Sequence, residues 1–284
     1  MVKGGRGSTI CAGVVLVTIL VTILATSALA FEPHTEFAPD ADFTAQQVTA
    51  IVFKTPPGTR PDFAGHSLTY LDLAEIDFKG ALLSAVDFYG TDFTAANLSG
   101  ADLTKTRLDR AVLIRANFSG ANLTDATILR PTIYSDARSI LSDAPKFAGA
   151  NLTRISVQAD MSGADFRGAD LTSADFSPFE ARPGQGTLTT QPSNILRSCD
   201  FSGARMTNAN LTRAFLTYSR FTGADLHGVK FIGADLSKAD FAGADLTGSD
   251  LTGADLYDAN FKGATGLDQA IGFDAAVNAD KAMR

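Results

Sequence analysis

Residues 224–261 read ADLHG VKFIG ADLSK ADFAG ADLTG SDLTG ADLYD ANF. A Leu or Phe recurs at every fifth position: Leu226, Phe231, Leu236, Phe241, Leu246, Leu251, Leu256 and Phe261. Two places before each stands a small residue, most often Ala. Immediately before each stands Asp, Asn or, once, Lys230. A fixed period outranks any local propensity. On an α-helix a step of five turns about 140°, which would scatter the Leu and Phe around the cylinder. In a flat strand the same step sends successive side chains to opposite faces. The large side chains share one interior only if the chain turns after each five residues, always in the same sense. Four turns of about 90° then close a coil of about twenty residues, and stacked coils pair backbone groups at the strand spacing of roughly 4.8 Å.

The same period runs backwards along the chain, in a separate register for each block. A first block carries central residues from Phe63 to Ile133, and a last block from Leu196 to Phe261. Between them the period breaks over about 134–146, slips by one residue near Val157, and breaks again over about 177–195. The second break is twenty residues from Phe176 to Leu196, but its would-be central residues Ala181, Gly186 and Gln191 cannot fill a core, so it reads as a loop. In the last block, twenty-residue stacking predicts a column of Phe201, Phe221, Phe241 and Phe261.

The A(D/N)LxG and A(D/N)FxG units resemble the pentapeptide-repeat family over roughly residues 61–265, in about 35 near-consecutive units. That resemblance implies an all-β fold, a right-handed quadrilateral β-helix with short N- and C-terminal capping segments. Handedness and square section come from the resemblance; the period alone predicts a turning solenoid.

Residues 1–30 combine a basic start at Lys3 and Arg6, an apolar run from Ile10 to Leu24 and an Ala-x-Ala ending, which reads as a signal peptide cleaved after Ala30. The uncharged stretch is also just long enough for a membrane anchor. Both readings export the solenoid, to a bacterial periplasm or anchored facing it. Residues 31–60 read as an N-terminal cap, with a helix over Thr44–Val52 and apolar anchors at Phe37, Phe43, Val48 and Phe53, ended by Pro56-Pro57-Gly58. His66 falls at an inward-tending position. Residues 266–284 read as a C-terminal cap with a short helix; the resemblance implies that such a segment can also form a homodimer.

The net charge of −7 disfavours direct nucleic-acid binding. The mature chain has one cysteine, Cys199, in a slot usually held by Ala, so it reads as a buried small hydrophobe. His34, His66 and His227 have no metal-ligand spacing, and no nucleophile or phosphate-loop motif is present. No catalytic residue, cofactor or metal is assigned. The one constellation with content is acidic: Asp225, Asp235, Asp240, Asp245, Asp250 and Asp255, with Asp258; from Asp235 to Asp258 the one nearby cation is Lys238. Stacking predicts Asp225 over Asp245 and Asp235 over Asp255, like charges at strand spacing. These residues serve turns, and as a surface they suit a basic protein partner.

Three functions are compatible with these features. The first is a non-enzymatic exported protein–protein interaction or structural scaffold of the cell envelope. The second, implied by the resemblance, is a DNA mimic binding DNA gyrase or topoisomerase, of the quinolone-resistance type, which the export signal contradicts. The third is an enzyme with a loop-built site drawn from Tyr134, Asp136, Asp143 and Glu180.

Overall fold

A computed structural model describes residues 41–136, 138, 140–178 and 194–284. The export segment, His34, Phe37 and most of the second break, Glu180 included, lie outside the described residues. No helix among the described residues is long and apolar enough to cross a membrane.

The unit Ala234–Lys238 shows why five residues make one stable side. Its five backbone N–H groups are all used. Ala234 donates to the Phe231 carbonyl, closing the preceding turn, and Asp235 donates to Ala214 of the coil before. Leu236 and Lys238 donate to Asp255 and Tyr257 of the coil after. Only the Ser237 N–H has no carbonyl within reach, and the Asp235 carboxylate takes it at 3.1 Å. An unpaired backbone donor is costly, so the position before the central residue must carry a short side-chain acceptor. The Asp or Asn of the repeat is thus a backbone substitute. Small residues precede it because that position faces the filled interior, where Ala204, Ala224, Ala234 and Ala244 are buried.

Each unit contributes one residue to a parallel ladder. One side runs without interruption through Asp62, Leu82, Asp102, Asn122, Asn151, Asp170, Arg205, Asp225, Asp245 and Thr265. Two further sides, begun by Ser67 and Asp77, stack in the same way, while the side begun by Asp72 runs to Thr132 and resumes at Asp160. The ladder is one residue wide except where β1 (Thr127–Leu129) pairs with β2 (Ser156–Gln158) over three residues. Inside lie the central Leu and Phe side chains, almost all without exposed surface.

The predicted phenylalanine column is longer than expected. Phe118, Phe147, Phe166, Phe201, Phe221, Phe241 and Phe261 stack with centroids 4.8–5.1 Å apart and planes within 6°. The ladder repeat sets that spacing. It exceeds the contact distance of about 3.5–4 Å between carbon atoms, so the rings are offset, the favoured arrangement.

Register locates the interruptions. Lys146 bridges Asn117 at a separation of 29 residues, nine more than a coil. The extra residues hold α2 (Ile140–Asp143). The following coil is one residue short, Asp165 bridging Lys146 at 19. At the second break Asp200 bridges Asp165 at 35, fifteen more than a coil, while Ile195 bridges Asp160 on one flank and Phe215 on the other. Among the described residues no coil lies between these two rungs.

The two ends correct the sequence reading in part. α1 (Ala45–Lys54) begins at Thr44, whose hydroxyl accepts from the Gln47 N–H while the Gln47 side chain accepts from the Thr44 N–H, a capping box. Val48 and Val52 close the core, and Phe43 meets Phe63 edge-on at 5.7 Å. Phe53 is not an anchor: it is 83% exposed, because a face spaced three and four residues apart that includes Val48 and Val52 excludes it. His66 also faces outward, 3.0 Å from the Asp42 carboxylate and edge-on to Phe43.

At the far end no α-helix forms. Thr265, Ile271, Val277 and Met283 bridge Asp245, Asp250, Asp255 and Asn260, making a last coil with six-residue sides. The units are Gly266–Ile271, Gly272–Val277 and Asn278–Met283, in a G-x-D-x-A pattern whose third copy replaces Gly with Asn. Gly266, Gly272 and Asn278 all have positive φ. A Cβ on Gly272 would lie 2.7–2.9 Å from Thr252 atoms, so glycine is required there by both conformation and space. Phe273 covers the end of the ring column at 5.2 Å from Phe261. Only a short 3-10 turn occurs, at Ala279–Lys281.

Candidate interaction surface

Successive units fall on successive sides, and this disperses the acidic residues. Asp225 and Asp245 share one side, Asp235 and Asp255 another, and Asp240 and Asp250 one each. All six make the turn bond that defines the repeat: their Oδ1 atoms accept from His227, Thr247, Ser237, Tyr257, Ala242 and Thr252 N–H groups at 2.9–3.1 Å. The Thr247 hydroxyl and N–H hold the Asp245 carboxyl below the usual carboxylate range.

The like-charge stacking is real but moderated. His227 Nδ1 lies 3.1 Å from Asp225 and 3.5 Å from Asp245, between the two carboxylates. Asp255 accepts from Asn278 Nδ2 at 2.7 Å, and Asp240 from Asn260 Nδ2 at 2.8 Å. Asp235 has no cation partner among the described residues. Lys238 reaches instead to the Tyr218 hydroxyl at 3.3 Å and lies over its ring. Asp258 stands in the turn slot with positive φ.

Arginines interrupt the acidic ladders on two sides. Arg220 lies 3.5 Å from Asp200, and Arg205 pairs with Asp170, whose carboxyl is held down at about 2, chiefly by that guanidinium.

The polar groups of the first excursion are spent on its own geometry. Asp143, nearly fully buried, accepts from the Ser135 N–H at 3.0 Å and hydroxyl at 2.7 Å, and these bonds hold it below the carboxylate range. Tyr134 donates to Asp160 at 3.3 Å; the Asp160 charge raises its phenol. Asp136 accepts from the Arg138 N–H at 2.7 Å. Among the described residues of this excursion these side chains are engaged as stated, and no base–nucleophile pair is formed. Cys199 is buried, its Sγ donating to the Met161 carbonyl at 3.1 Å, and burial pushes the thiol pKa up, so it is no nucleophile. Among the described residues no three His, Cys, Asp or Glu side chains converge on a metal position.

One residue that sequence reasoning missed anchors the second excursion. Asn194 occupies a small-residue slot, fully buried. Its Nδ2 donates to Phe176 O at 2.6 Å and Val157 O at 3.0 Å, and its Oδ1 accepts from Ala159 N–H at 2.6 Å. The sequence signal was a polar residue where the repeat calls for Ala.

The pentapeptide-repeat profile matches eight copies, over residues 62–100, 91–128, 146–177, 196–228 and 224–263. The chain belongs to the pentapeptide-repeat family. Solved structures similar to this family member include HetL, a pentapeptide repeat protein involved in heterocyst differentiation regulation from the cyanobacterium Nostoc sp. strain PCC 7120, at 26% identity, covering 80% of this chain and 94% of that one, with a TM-score of 0.41. A pentapeptide repeat protein from the Arabidopsis thaliana thylakoid lumen is 30% identical over 36% of this chain and 67% of its own, with a TM-score of 0.27. Full-length QnrB1, a plasmid-mediated fluoroquinolone resistance protein, is 21% identical over 74% and 95%, with a TM-score of 0.28. No curated protein matches the sequence.

Proposed function

We propose that this pentapeptide-repeat chain is a right-handed quadrilateral β-helix exported to the periplasm, where it acts as a non-enzymatic protein–protein interaction scaffold of the cell envelope. One observation carries the reading: the repeat consumes its own polar groups. Backbone donors and the Asp and Asn acceptors are paired within the stack, and the interior is filled by Leu, Phe and Ala. Reactive chemistry usually needs a cavity with convergent polar groups. What remains for function is the outer surface of four ladders and the two excursions, which break its regularity. A continuous acidic mimic of a nucleic-acid backbone is less well supported, since the acidic residues are spread over four sides and broken by Arg205, Arg220 and Lys230.

The test is fractionation of the tagged full-length protein with sequencing of its mature N-terminus, followed by crosslinking in intact cells. A periplasmic form beginning at Phe31 with envelope proteins crosslinked to it supports the proposal. A cytoplasmic form retaining residues 1–30 would overturn it and make inhibition of DNA gyrase the next assay.

A further inference from the structure

We propose that the side of the solenoid bearing Tyr89, Arg110, Arg130 and Gln158 is a binding site for an acidic polypeptide segment, whose carboxylates the two guanidiniums take. The inference deepens the scaffold reading and rests on it, by naming the partner chemistry of one surface.

A depression of about 220 Å³ is lined by these four residues with Asp109 and Leu129. A second, of about 440 Å³, shares Leu129 and Gln158 with it. Its floor is the one place where coils pair over three residues, β1 on β2. The lining is therefore set by a wider ladder than elsewhere.

The charges at this place are arranged unlike those around them. Arg110 donates its backbone N–H to Leu129, and Arg130 donates its own to Gln158, which puts the two arginines at equivalent turn positions of adjacent coils. Coils are spaced about 4.8 Å apart, so the arginines are like charges on neighbouring rungs, a destabilising pairing. At another pair of stacked turn positions the chain places opposite charges: Arg154 meets Asp125 through two bonds of 2.7 and 2.8 Å. Arg107, nearby, is held by Asp87 at 2.9 and 2.6 Å. Neither Arg110 nor Arg130 has a carboxylate partner among the described residues. Asp109 does not serve, because its Oδ1 accepts from the Thr127 hydroxyl at 2.8 Å and the Leu129 N–H at 3.1 Å.

A carboxylate lying between the two guanidiniums satisfies both. Tyr89, with the Arg110 guanidinium 6.0 Å from its ring centre, and Leu129 offer apolar surface to the stem of a Glu or Asp side chain. A nucleic acid fits less well. Every unit of its backbone carries a charge past Asp109 and Asp175, whereas a polypeptide can place one acidic side chain in the depression between neutral neighbours.

The test is fluorescence anisotropy of a labelled Gly/Ser peptide carrying a single Glu-Glu pair, titrated with the purified full-length chain in mild detergent at low salt. Saturable binding by the native chain is expected. Arg110→Gln with Arg130→Gln should weaken it at least tenfold. Lys54→Gln with Lys262→Gln makes the same change in net charge away from the site and should leave affinity within twofold. Both arginines have positive φ, so the Arg110→Gly, Arg130→Gly pair relieves the backbone and supplies a folded variant that should also lose the peptide. Equal weakening by the lysine pair, or no saturable binding by the native chain, would overturn the site while leaving envelope crosslinks untouched. Retained peptide binding without envelope crosslinks would support the site and remove the localisation. Binding of a labelled oligothymidylate, lost in the arginine variants, with no binding of the peptide, would overturn the assignment to polypeptide.

Discussion

Asn194→Ala is the substitution that most directly probes how a long excursion is tolerated in a stack of short turns. The change removes three hydrogen bonds at a fully buried position and leaves the carbonyls of Phe176 and Val157 and the N–H of Ala159 without partners. A buried polar group left unmade costs about 1–3 kcal/mol. Three such groups set an upper range of about 3–9 kcal/mol, and relaxation of the adjoining excursion to admit water brings the expected loss to about 3–5 kcal/mol. Urea denaturation followed by far-UV circular dichroism reads this as a lower midpoint. Native-state hydrogen exchange should place the earliest opening at Ala159 and the units on either side of Ile195, since solenoid coils stabilise mainly their neighbours. Asn194→Asp separates hydrogen bonding from volume. Its carboxylate faces two carbonyls, so its own pKa is raised, and the variant should recover stability as pH falls and the acid becomes a donor. A loss below about 1 kcal/mol for Asn194→Ala would refute the assignment of Asn194 as the anchor.

Three further outcomes follow from contacts already described. Ser249 is buried in an Ala slot with no partner for its hydroxyl, so Ser249→Ala should stabilise the fold by about 1 kcal/mol in the same urea assay. Gly272→Ala adds a Cβ against Thr252 at positive φ and should cost about 1–3 kcal/mol; faster exchange confined to 266–284 is the expected signature. The Asp170 carboxyl, held at about 2 by Arg205, contributes stability that is present above its unfolded value near 3.9 and lost as pH falls towards 2. Arg205→Gln should flatten the stability profile between pH 4 and 2, and an unchanged slope would show the pair to be idle.

The fold was largely legible because a period of five has few physical solutions. Side chains at Phe201, Phe221, Phe241 and Phe261 had to stack once the coil length was twenty. The N-terminal helix was legible over Thr44–Val52 ahead of Pro56-Pro57-Gly58, although which side of it Phe53 would face depended on the docking angle. The C-terminal coil was missed for a specific reason. Its period changes to six over only three units, and Ala270, Ala276 and Ala282 imitate a helix former, while the signal lay in Gly266, Gly272 and Asn278. The acidic constellation was visible as composition, but its physical role was not. Six carboxylates spaced along one stretch look like a face until each is assigned the N–H it accepts from and the side it occupies. Asn194, Gln158 and the Arg110–Arg130 pair are exceptions to the repeat. A residue that departs from a strict code in one copy carries information that the code itself cannot.

The direction of the ladder bonds has a mechanical consequence. Because each coil is tied to the next by bonds lying along the stacking axis, tension between the two ends loads one coil interface after another. Opening one interface gives up a rise of about 4.8 Å and frees a strand of about twenty residues, which can extend to some 66–72 Å. Under load the protein should lengthen in discrete steps at modest force, and the two excursions should appear as longer steps in an otherwise even series.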